Sequence, residues 1–171
     1  MNETARQLQK LRVVLDTNAV YQAEGQELLR PAVSELIKES ANHTDLAIHW
    51  YLPEVVRNER EQQLRELARK SVPALERLER VCGISLGITD RTITERLRER
   101  IEGQITQLNL QILPVDPSAV DWSRMMSDAA FRQPPFSAGE NEKGFRDALI
   151  AEAAGQLIES SSNCRIAVTN Y

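Results

Sequence analysis

A three-layer α/β/α fold with a mainly parallel central sheet is predicted by three features of the sequence. Short apolar strand candidates alternate with helical stretches, the order that lays helices over both faces of a parallel sheet. The stretch "LRVVLDTN", residues 11–18, holds Val13, Val14 and Leu15 in an unbroken apolar run, the pattern of a strand covered on both sides. A chain of 171 residues with 42% hydrophobic content is long enough for one core and short for two.

The elements follow in order. After the first strand, an amphipathic stretch from about Ala23 to Ser40 reads as helix, and "DLAIHWYLP" as a second strand closed by Pro53 at a helix start. From Glu54 to Arg80 mixed charge is dense, and Leu64, Leu67, Leu75 and Leu78 recur at helical spacing, the signature of a solvated helical face. Pro73 should kink or divide this helix, because it lacks an N–H donor and crowds the preceding turn. "RTITERLRERIEGQITQLN" forms a second charged helix, so 54–110 is expected as a mostly helical arm on one side of a single domain spanning 1–171. "LQILPVD" is a third strand, "SAVDWSRMMSDAAFR" a helix, "QPPFSAGENEKG" a loop, "FRDALIAEAAGQLIES" a helix and "CRIAVTN" a fourth strand. No repeat or low-complexity linker interrupts them.

Bulk composition narrows the function. A net charge of −4 argues against a generally basic nucleic-acid glove, although a local patch can act against an acidic background. Cys82 and Cys164 are far apart, with no C-x-x-C and no nearby His, which points to buried thiols in a reducing compartment and to neither disulfide nor zinc. His43 and His49 lack ligand spacing and read as structural. No signal-type segment and no apolar run near the roughly 20 residues of a membrane helix is present, so a cytoplasmic protein is expected.

Asp16 ends the first strand, and the carboxyl edge of an open α/β sheet is where ligands bind. A lone Asp there is commonly a turn former or helix N-cap, so the reading depends on partners. In "KGFRDALIAEAAGQLI", Asp147 precedes Ile150, Ala154 and Ile158 by three, seven and eleven residues, which places it on the apolar stripe and in the first helical turn, where negative charge is favoured. Glu59 follows Val55 and Val56 by four and three residues and lands on an inward stripe, whereas Glu54 and Glu61 read as surface charges. In a helix so rich in Glu, a plain surface role is the competing reading of Glu59. Three inward acids repel one another unless they share a cation, and carboxylate oxygens suit Mg²⁺ or Mn²⁺, whose remaining ligands are water and phosphate oxygens.

"VVLDTNAVY", "LPEVVRNE", "KGFRDALI" and "IAVTN" together resemble, in that order, the successive motifs of the PIN-domain ribonucleases, and most closely the longer bacterial PIN-like type. The resemblance implies that Asp16, Glu59 and Asp147 are the catalytic and metal-binding acids. It implies RNA as substrate, Mg²⁺ or Mn²⁺ as cofactor, and hydrolysis leaving a 5′-phosphate and a 3′-hydroxyl. Asn18, Lys143, Arg146, Thr169 and Asn170 are the substrate-contact candidates, Thr169 and Asn170 by orienting a water and the basic pair by meeting phosphate.

The family's fourth motif normally ends in an acid, and here the residue is Tyr171, a phenol that stays neutral near pH 7. Weak activity and a truncated carboxyl end are therefore expected. Two other classes compete: a catalytically weak PIN-like module that binds RNA or a protein partner, favoured by the missing fourth acid and the long charged arm, and a phosphatase using Asp16 as nucleophile. A homo-oligomer or protein partner is a separate expectation. The phosphatase wants a second acid two residues on, where Asn18 stands.

Overall fold

Strand β1 (Gln9–Val14) takes an interior place in the sheet because its apolar end can be covered from two sides. In this computed structural model, which describes residues 9–22, 25–136, 144–160 and 165–169, the strand order is β3-β2-β1-β4, with β2 at Leu46–Pro53, β3 at Gln111–Leu113 and β4 at Arg165–Val168. All three pairings are parallel, and Val14 lies opposite both Tyr51 and Val168, so the carboxyl ends of β1 and β4 are level while β2 runs on to Pro53.

Alternate side chains of a strand point to opposite faces. Val13, Leu15, Trp50 and Leu52 join one core cluster with Val56, Leu64, Ile101 and Ile105 of the long helices α3 (Glu54–Cys82) and α4 (Asp90–Gln107), and with Ile37 of α2 (Pro31–Ser40). Val14, Tyr51 and Leu113 instead meet Ala153, Ala154 and Leu157 of α6 (Phe145–Glu159), whose alanines let the helix approach the sheet closely. The short α5 (Trp122–Ala130) adds Met125 to a third small cluster with Val120 and Ala148.

The chain winds outward from β1 to β2 and β3, then returns to place β4 on the other side of β1. Crossovers of one hand running in opposite directions put their helices on opposite faces, and they leave a crevice at the carboxyl ends of β1 and β4. Into that crevice β1 delivers Asp16 and the four-residue helix α1 (Thr17–Val20).

Several local expectations are corrected. The helix expected from Ala23 begins only at Pro31, whose fixed φ suits a first helical position; Ala23 itself lies outside the described residues. Pro73 does not divide α3, which runs unbroken for 29 residues. The helix is exposed on both sides of Pro73, so water can satisfy the carbonyl orphaned one turn earlier. Cys82, expected to be buried, is exposed at the end of α3, just before Gly83 turns the chain with φ 64°; Cys164 lies outside the described residues.

Glu61 is not a surface charge. It is 5% exposed and receives Arg57 at 3.1 Å and Arg98 at 3.0 Å, with Arg65 also paired to it. Arg57 and Arg65 stand one turn before and after it on α3, while Arg98 reaches over from α4, so one buried acid ties the two arm helices together. Removing a buried acid leaves its cations uncompensated. Glu61→Gln should therefore lower the unfolding free energy by about 2 kcal/mol, read as a lower urea midpoint at unchanged slope.

Farther out, Arg69 donates to both carboxylate oxygens of Asp90, at 2.6 and 3.0 Å, and this pairing holds the Asp90 carboxyl below its ordinary value. A lowered folded-state pKa contributes stability above the unfolded pKa, and that stability is lost as pH falls through the folded one. The amide protection factors at the start of α4, taken against unstructured reference rates at each pH, should hold down to the ordinary Asp range near pH ~4 and fall only below it. In Arg69→Gln the onset should move to higher pH.

Candidate functional site

Asp16 is held from every side that the two strand ends offer. Its N–H donates to Thr169 Oγ1 at 3.0 Å, and the Thr169 N–H donates to the Val14 carbonyl at 3.1 Å, so β1 and β4 are stitched together where they stop. Its side chain caps α1: Oδ1 accepts the Thr17 N–H at 2.6 Å, while Oδ2 accepts Asn18 Nδ2 at 3.3 Å. The capping reading of Asp16 thus holds, and it does not compete with a site. At 8% exposure the carboxylate is fixed at the floor of the crevice.

Glu59 enters from the second turn of α3, which starts directly after β2 and so stands at the same sheet edge. Its side chain is 15% exposed. Thr17 Oγ1 donates to Glu59 Oε2 at 3.4 Å, so one threonine touches both acids, through its N–H on one side and its hydroxyl on the other. Gln63 Nε2 donates to Oε1 at 3.2 Å, and the Arg146 guanidinium pairs with that same oxygen from the first turn of α6.

Asp147 differs from expectation. It is exposed, and so is Ile158, because the buried stripe of α6 is centred on Ile150, Ala153, Ala154 and Leu157. At about 100° per residue, Asp147 and Ile158 fall on the border of that stripe. Nor do three carboxylates converge: among the described residues no three Asp, Glu, His or Cys side chains are grouped to hold an ion. Asp16 and Glu59 are brought together with Asn18, Thr169 and Arg146, and Asp147 adjoins them along α6. Lys143, Asn170 and Tyr171 lie outside the described residues.

Two participants escaped the reading of the sequence. Thr17, a small polar residue with no signal of its own in the sequence, is the link between the acids. Arg60 is 3% exposed; it donates to the Gly25 carbonyl at 2.8 Å and to the Glu27 carbonyl at 2.9 and 3.0 Å, and burial lowers its pKa. It clamps the loop after α1 onto the turn of α3 that carries Glu59. Its place four residues from both Val56 and Leu64, each buried, is the spacing that would have revealed it.

A family model described as a PIN domain matches residues 13–170. Comparisons with curated proteins and with solved structures return no match. PIN domains are in general nuclease-like and generally use divalent metals. The matched span runs from inside β1 to just past β4, taking in the sheet and the crevice together, and the chain belongs to the PIN-domain family.

Proposed function

We propose that this chain is a divalent-metal-dependent endoribonuclease, with Asp16, Glu59 and Asp147 as its acids and Mg²⁺ or Mn²⁺ as its ion. The observation that carries the reading is the Asp16–Thr17–Glu59 arrangement at the sheet's switch point, with a guanidinium already lending Glu59 positive charge. The available donors are carboxylate, hydroxyl and carboxamide oxygens, which suit a hard cation and offer nothing to a soft one. Such an ion activates water and neutralises charge that builds on a scissile phosphate.

The chain's own residues supply the rest. Asp16 keeps one orientation because Thr17 and Asn18 occupy its two oxygens, and Thr169 holds its backbone. Arg146, half exposed and paired with Glu59, is the basic residue proposed to meet a phosphate, and Lys143 and Asn170, outside the described residues, are proposed as further contacts. Hydrolysis in this frame leaves a 5′-phosphate and a 3′-hydroxyl. A second reading, a module that binds RNA or a protein partner and cleaves weakly, is favoured by the hold of Arg146 on Glu59.

Cleavage of a pooled RNA set with Mn²⁺, Mg²⁺ or EDTA tests both readings. EDTA should stop cleavage, and Asp16→Asn should lower it by at least about 100-fold, since even outer-shell losses at metal sites cost up to that much. The Asn variant should keep its circular dichroism and melt at the same or a slightly higher temperature, because repulsion between neighbouring acids is relieved. Unchanged turnover would remove Asp16 from the chemistry, and Mn²⁺ binding without cleavage in the unaltered chain would select the second reading.

A further inference from the structure

Arg146 occupies an unusual place for a cation. It lies in the first turn of α6, where the helix dipole disfavours positive charge, and no side chain caps that helix end. Its position is therefore not explained by the stability of α6. Its partner is Glu59, 87 residues earlier in the sequence, and the two side chains differ sharply in exposure, 55% for Arg146 against 15% for Glu59. The acid is anchored by Gln63 and Thr17 as well, so it keeps its place if the guanidinium leaves.

Arg60, one residue from Glu59, gives the contrast. It is buried and tied to two backbone carbonyls, a guanidinium that cannot move without orphaning them. Arg146 can swing into water at small cost, because the hydration it would regain offsets much of what a half-exposed ion pair contributes.

Building on the reading of Glu59 as a metal ligand, we infer that Arg146 is a resident counter-ion that competes with the divalent cation for Glu59, and so sets the cation concentration at which the site fills. The pairing neutralises Glu59 beside Asp16 while the cation is absent. Its displacement is part of the cost of cation binding, and removing the guanidinium removes that cost.

Calorimetric titration of the full chain with Mn²⁺ tests this without any nuclease readout. Arg146→Gln should bind Mn²⁺ about five- to tenfold more tightly than the unaltered chain, and its metal-free melting temperature should fall and recover on adding Mn²⁺. Arg146→Lys, which keeps the charge, should stay near the unaltered affinity. In a Glu59→Gln background, the Arg146→Gln change should alter affinity by less than about twofold, because the interaction it removes is already gone. Mn²⁺ binding that Asp16→Asn abolishes but Arg146→Gln leaves unchanged or weakens overturns this inference and leaves the proposed function standing. Absence of Mn²⁺ binding in the unaltered chain and in every variant overturns both.

Discussion

Two carboxylates that share one threonine set the terms for everything around them. Asp16 and Glu59 come from different elements, yet Thr17 bonds to both, so their charges lie close in a partly desolvated crevice. Like charges so placed repel one another and call for positive or hydrogen-donating neighbours. The fold answers with donors: the Thr17 N–H, the Asn18 and Gln63 carboxamides, and the Arg146 guanidinium. A site built this way is prepared for positive charge, and it is poorly suited to an apolar ligand.

The arginines paired with these acids and loops divide by what they hold, since Arg98 on Glu61 is as exposed as Arg146 on Glu59. Arg60 and the trio around Glu61 are structural: Arg60 holds the loop after α1, Arg98 and Arg57 fasten α4 to α3 through Glu61 and Glu102, and Arg65 pairs with Glu61 within α3. Together they fix the turn of α3 from which Glu59 projects. With net charge at −4, such local pairing leaves little free basic surface on the arm's inner turns.

The sheet was legible because its signals are local. Unalternating apolar runs gave the strands, and the all-parallel order followed from helices between them. Asp16 was legible for the same reason, as an acid at the end of a buried strand. What the sequence hid depends on partners distant along the chain. Glu61 looks like any exposed helical acid until Arg98 of α4 is placed over it, and Asp147 shares its three-, seven- and eleven-residue spacing with Ile158, which proves to be exposed. On α6 the stripe's phase is set by which residues the sheet accepts, Ala153 and Leu157, and spacing alone cannot choose between adjacent diagonals. Pro73 misled because a helix breaks at proline chiefly where the freed carbonyl has no other partner, and here the helix around Pro73 is open to solvent.

The crevice has a fixed wall and an adjustable one. Asp16 is locked by backbone bonds that also join β1 to β4, so moving it would mean parting two strands. On the other wall, α6 meets Glu59 through a side chain that is half in water. Backbone pairing among strands holds position with little tolerance, whereas a long exposed side chain can exchange partners without disturbing the core. The proposed nuclease role would need both properties, since an acid must stay put while phosphate and cation come and go. The division between a strand-borne aspartate and a helix-borne arginine supplies them from different levels of the same fold.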